Sequence, residues 1–81
     1  MSDAKTLCLA EAVQHALDQY FDDLNGEYPS GLHKMVMLEV ERPLITYVME
    51  KTDGNQTDAA RILGINRNTL RSRLAKFDLL D

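Results

Sequence analysis

Between Arg61 and Lys76 the chain carries five basic residues, Arg61, Arg67, Arg71, Arg73 and Lys76, and no acidic one. A guanidinium presents a planar fork of donors that fits phosphate oxygens and the O6/N7 edge of guanine. Asn66, Asn68, Thr69 and Ser72 lie among these cations. Asn can bond bidentately to adenine, and the hydroxyls serve base or phosphate. Forks, amides and hydroxyls with no neutralising carboxylate suit an anionic polymer with readable edges, so the expected partner is double-stranded DNA. The whole chain has a net charge of −4, which works against this. The charge is unevenly divided, however. Residues 1–53 carry four Lys/Arg against ten Asp/Glu, a balance of −6, while residues 54–81 carry five against three, a balance of +2. Phosphate responds to the local basic face before it responds to the total.

The elements that would hold these side chains follow from the segment NQTDAARILGINRNTLRSRLAKF. It divides into a short helix over about Gln56–Leu63, a turn at Gly64 and a second helix over about Arg67–Phe77. Asn55 and Asn66 stand where N-caps belong, each able to accept from an amide of the following turn. Ala59 and Ala60 are small where two crossing helices approach, and Gly64 tolerates a positive φ. Ile65, Leu70 and Leu74 form an apolar seam that locks the second helix onto the first, which is the helix-turn-helix pattern. The seam turns Arg67, Asn68, Arg71 and Ser72 outward on the N-terminal half of the second helix, the part that enters the major groove in this motif. Arg73 and Lys76 lie nearer the flanks and suit phosphates. Asn55 and Thr57, at the start of the first helix, aim an amide and a hydroxyl at the DNA backbone.

Upstream, Ala10, Val13, Leu17, Tyr20, Phe21 and Leu24 recur at steps of three and four and predict a helix over about Leu7–Leu24. Asn25–Gly31 (NGEYPSG) reads as a loop. A second helix is expected over about Leu32–Thr52, with Ser30 as its N-cap and Pro43 inside it. Its apolar phase is unbroken across Pro43, so one kinked helix is favoured over two. Its apolar side chains spread around nearly the whole circumference, and a helix apolar on all sides must be buried on all sides. A chain of 81 residues has too little mass to cover it alone. A second copy could do so through a twofold interface, with Leu38, Leu44, Ile45, Val48 and Met49 as the contact residues. The expected class is therefore all-α: a four-helix subunit with a C-terminal helix-turn-helix, in an intertwined homodimer. Residues 1–53 supply the dimerisation helices and residues 54–81 the DNA-binding region, within a single domain overall.

Other classes lack their residues. Cys8 is the only cysteine and cannot pair within the chain. His15 and His33 have no second ligand at metal spacing, so no metal or cofactor is expected. Asp22-Asp23 points to different faces of a helix and reads as a solvated end, so no catalytic residue is assigned. Leu7–Ala10 is too short for a signal core, and nothing approaches the run of about 20 apolar residues that spans a bilayer. A cytoplasmic protein without membrane contact is expected.

The segment GNQTDAARILGINRNTLRSRL, with EVERPLITYVM and LDQYFDDLNG ahead of it, resembles the Fis (factor for inversion stimulation) family of bacterial nucleoid proteins. The likeness runs from about Leu7 to Phe77. It implies a homodimer of four-helix subunits, paired helix-turn-helix units, bending of bound DNA, and roles in chromosome organisation and transcription at the nucleoid. Carried over by position, Asn55, Thr57, Asn66, Arg67, Thr69, Arg71, Arg73 and Lys76 fall where the family contacts DNA, with Arg67 and Arg71 as base-edge readers. Three departures stand out. About six residues precede the first helix, an arm whose shortness argues against a recombinase partner. Ser72 and Ala75 interrupt the basic tail of the recognition helix. Asp53 and Asp58 flank the first helix of the motif, where basic residues are common. Two other readings remain at this point. The same pattern closes NtrC-type enhancer-binding activators, although the chain opens with Met1 and such an activator needs an ATPase domain. A helical protein-interaction module without DNA binding is the alternative of another class.

Overall fold

The computed structural model describes residues 2–80, and the side chains of residues 8–80. Four helices follow one another: α1 (Ser2–Asp23), α2 (Leu32–Lys51), α3 (Gln56–Leu63) and α4 (Arg67–Lys76), with no strand among the described residues. The all-α class and the helix order agree with the sequence reading. α1 starts earlier than its apolar periodicity, because Ala4 and Lys5 favour helix and no Gly or Pro interrupts residues 2–7. It ends in a turn in which Asn25 takes φ 54° and Gly26 φ 86°. On α1, Leu9, Val13 and Phe21 are exposed, and Tyr20 packs edge-on against Phe21 with ring centroids 6.1 Å apart.

The chain divides after Gly31, and Leu32 begins a second compact unit that contains α2, α3 and α4. The boundary drawn at residue 53 from charge and motif thus falls inside a packed unit, since α2 is the platform for the two helices that follow. α2 runs through Pro43 as one element. Pro43 has no amide to give the Glu39 carbonyl. Three residues on, Thr46 donates its hydroxyl to the Arg42 carbonyl at 2.8 Å, a local bond of the kind that bends helices. Ser30 does not stand next to α2: Gly31, at φ 74°, separates them.

The core of this unit is Ile45 and Val48 of α2, Ala59 and Ala60 of α3, Leu70 and Leu74 of α4, and Phe77 just beyond it. Ala59 and Ala60 are buried at the helix crossing, as small residues must be where backbones approach. Leu70 and Leu74 are fully buried one turn apart, so truncating either to Ala removes about 2–5 kcal/mol of stability. Part of the expected dimer surface lies in this core. Ile45 and Val48 are consumed inside the chain, and Leu38 and Met49 pack against the same cluster. Of the residues assigned to the interface, Leu44 alone remains exposed. The cause is that α3 and α4 are short and need an apolar platform, which this side of α2 provides. What α2 leaves exposed is a different row, Met37, Val40, Leu44 and Tyr47, at alternating steps of three and four.

Candidate nucleic-acid interface

The two short helices are set by their ends. Asn55 Oδ1 accepts from the Asp58 amide at 3.0 Å, and Asn66 Oδ1 accepts from the Asn68 amide at 2.7 Å. Each cap replaces one missing donor partner and contributes roughly 1 kcal/mol. α3 stops at Gly64, φ 73°, where the Ile65 amide returns to the Ala60 carbonyl and the Gly64 amide reaches Arg61. This paired closure needs a left-handed residue at the turn, which glycine adopts without strain. α2 ends the same way, with Asp53 at φ 53° in the left-handed position and the Gly54 amide on the Met49 carbonyl at 2.9 Å. Asp53 therefore terminates α2 as well as preceding α3, a role that charge and position in the sequence did not reveal.

With Leu70, Leu74 and Phe77 fixed inward, the remaining faces of α4 follow at ~100° per residue. Asn68, Ser72 and Ala75 lie opposite the seam. Arg67 and Arg71 occupy one flank; Thr69, Arg73 and Lys76 occupy the other. Arg67, Asn68, Arg71, Ser72 and Lys76 are exposed, Thr69 is half-buried, and Asn55, Thr57 and Asn66 are exposed at the helix starts. Arg67 and Arg71 are like charges one turn apart, an arrangement that disfavours an isolated helix by a few tenths of a kcal/mol and gains from a bound anion.

The cations differ in what holds them. Arg61 lies 3.9 Å from Asp58 on a well-exposed stretch of α3, a pair worth little in water. Arg73 is bound more closely: its Nε donates to Glu41 Oε2 of α2 at 2.9 Å, with the two side chains 39% and 30% exposed. Next to Glu41, Arg42 donates from Nη2 to the Phe77 carbonyl at 2.9 Å and places its guanidinium 5.6 Å from the centre of the Phe77 ring. Lys76 Nζ lies 6.0 Å from the centre of the same ring. These links between α2 and α4 escaped sequence reasoning. Glu41 and Arg42 lie more than thirty residues from their partners, and no local spacing joins them; the one available signal was an acid-base pair standing mid-helix between Val40 and Pro43. Among the described residues, no cluster of His, Cys, Asp or Glu could hold a metal ion, and no helix is long and apolar enough to cross a membrane.

Comparison with known proteins bears on the same surface. Residues 37–77, from the exposed row of α2 to Phe77, match the family described as bacterial regulatory protein, Fis family. The chain belongs to the Fis family. The likeness extends beyond the motif: a Fis-like DNA-binding protein of Neisseria meningitidis serogroup A is 47% identical over 72 residues, which is 89% of this chain and 91% of the relative. The DNA-binding protein Fis of Yersinia enterocolitica is 49% identical over 71 residues, 88% of this chain and 72% of the relative. The Yersinia pestis protein of that name shows the same identity and coverage. Membership in a family of regulatory proteins sets the chain apart from enzymes, and similarity to Fis proteins covers nearly the whole chain.

Proposed function

We propose that this Fis-family protein is a homodimeric DNA-binding protein of the bacterial nucleoid. It places a pair of α4 helices in successive major grooves, bends the duplex between them, and acts in transcription and chromosome organisation. The observation that carries the reading is the state of α4: its apolar seam is fully buried while Arg67, Asn68, Arg71 and Ser72 stand exposed on a capped helix. Arg67 and Arg71 act as base-edge readers, with Asn68 and Ser72 beside them. Asn55, Thr57, Asn66, Thr69, Arg73 and Lys76 hold the sugar-phosphate backbone. The DNA-binding names of relatives that match along most of their own length support the same assignment.

Dimerisation rests on the row Met37, Val40, Leu44 and Tyr47. Its three-four-three spacing is that of a helix seam, and a second copy of the same row is self-complementary about a twofold axis. A dimer would present its two recognition helices about one turn of DNA apart, roughly 34 Å. A mobility-shift titration on random-sequence and A·T-rich duplexes at two salt concentrations, with the mass measured by light scattering, tests the whole reading. The expected result is a dimer that binds both duplexes, more weakly at the higher salt. Absence of binding at low salt would leave a protein-interaction module instead.

A further inference from the structure

We propose that Glu41, on α2, is a positioning residue for DNA binding, holding Arg73 so that the outer edge of its guanidinium is presented to a phosphate. The inference rests on the DNA-binding reading above and adds a residue from outside the helix-turn-helix. Arg73 lies on the flank of α4, at the margin between the buried seam and the open face. Its contact with Glu41 is made through Nε, at 2.9 Å. A guanidinium has five N–H donors in one plane. A carboxylate bound at the Nε edge fixes that plane while leaving Nη donors for a second acceptor. Both side chains are about one-third exposed, so the pair is neither sealed in the core nor loose in solvent. The adjoining Arg42 anchors the carbonyl of Phe77 at 2.9 Å, which makes this stretch of α2 a firm mount for the end of α4. An unheld arginine would have to give up the freedom of a long side chain on reaching the phosphate; Arg73 has already been ordered.

The same carboxylate carries a negative charge toward DNA, and that makes the proposal decidable, because the two effects have opposite signs. If Glu41 acted only as a charge, Glu41→Ala would tighten binding. As a positioning residue, its loss weakens binding although the chain becomes less acidic. Affinities of the 81-residue chain and its variants for one short fluorescent duplex are measured by anisotropy across a salt series, with melting temperatures alongside. Glu41→Ala is expected to bind about three- to tenfold more weakly, within the range of a coupled neighbouring pair. Its plot of log affinity against log salt should be shallower, approaching that of Arg73→Ala, since one lost phosphate contact lowers the slope by about 0.9 per chain. Glu41→Gln keeps an acceptor and loses the charge, so it should bind at least as well as the parent. Glu41→Asp keeps the charge and withdraws the acceptor by one methylene, so it should bind more weakly, and it tests the proposal even if the Ala variant does not fold. In an Arg73→Ala background, Glu41→Ala should no longer weaken binding. Binding by Glu41→Ala and Glu41→Asp equal to or tighter than the parent, or the same loss with and without Arg73, overturns the proposal. A parent chain that fails to bind DNA overturns instead the reading on which it rests.

Discussion

Leu44→Glu is expected to weaken self-association by at least about thirtyfold while leaving the subunit folded. Met37, Val40 and Leu44 are 48%, 47% and 49% exposed, and Tyr47 is 59% exposed. Fully burying such a side chain contributes about 1.5–3 kcal/mol, so covering the open half yields roughly 1 kcal/mol each. Four residues on each of two chains give about 8 kcal/mol, against an association cost of ~4–15 kcal/mol. The seam is therefore near break-even, and each member counts twice. Losing Leu44 from both copies removes about 2 kcal/mol, or roughly thirtyfold in the dissociation constant, before any repulsion between facing carboxylates. Its exposed half can receive the charged group without entering the core of Ile45, Leu70 and Leu74. Sedimentation equilibrium over a dilution series measures the constant, and the melting temperature of the parent should rise with concentration, as mass action requires. Ile62→Glu is the control, because Ile62 is 62% exposed on α3 and outside the seam. An unchanged dissociation constant in Leu44→Glu, an equal effect of Ile62→Glu, or a parent chain that is monomeric at high concentration would refute the argument.

Other expectations concern the DNA face. Arg71→Ala should cost roughly 1–3 kcal/mol and relax preference at one base position in each half-site, whereas Lys76→Ala should weaken all sequences alike and make the salt slope shallower; binding-site selection with both variants distinguishes them. Counting Arg67, Arg71, Arg73 and Lys76 on each of two chains as an upper bound on phosphate neutralisation, the slope of log affinity against log salt should not be steeper than about −7; a distinctly steeper slope would mean that cations outside α4 take part. Asp53→Arg combined with Asp58→Arg should tighten binding to long duplexes more than to core-length ones and increase bending in circular-permutation shifts; equal gains on both lengths with no change in bend would show that these acids act only through overall charge. The double variant should also lose some stability, since Asp53 occupies a left-handed position that Asp tolerates better than Arg.

What was legible in the sequence was local. Asn55, Gly64 and Asn66 act on amides and dihedrals within a few residues, and type with position was enough to place them. The rotation of α4 was legible too, because Leu70 and Leu74 are its strong apolar residues and fix which side is in. The rotation of α2 was not. With apolar residues all round, its periodicity singles out no one inward face, and nothing short of the packed structure separates Ile45 and Val48, which meet α3 and α4, from Leu44, which does not. Existence of an unmet apolar surface could be inferred; its identity could not. The Glu41–Arg73 and Arg42–Phe77 links were invisible for another reason: ion pairs and carbonyl contacts between distant segments leave no periodic trace. Asp53 combined both problems, since its charge suggested a helix start while its backbone closes the helix before it.

The uneven charge also bears on how an acidic chain can act on DNA. Arg73 is paired with Glu41 and Arg61 lies near Asp58, which leaves Arg67, Arg71 and Lys76 of α4 without a carboxylate partner among the described residues. At physiological salt the field of an exposed charge fades over about 8 Å, so acids remote from the groove weaken binding only diffusely. Such a penalty falls on every DNA sequence alike. It lowers general attachment to the duplex but leaves intact whatever difference Arg67 and Arg71, the proposed base readers, make at base edges. General attachment is what a genome multiplies, since about 10⁶–10⁹ competing sites draw protein away from any preferred one. A penalty common to all sites cancels when those sites compete, so on the proposed reading the acid-free recognition helix alone sets which site is preferred, and the acidic body sets only how much of the protein is bound at all.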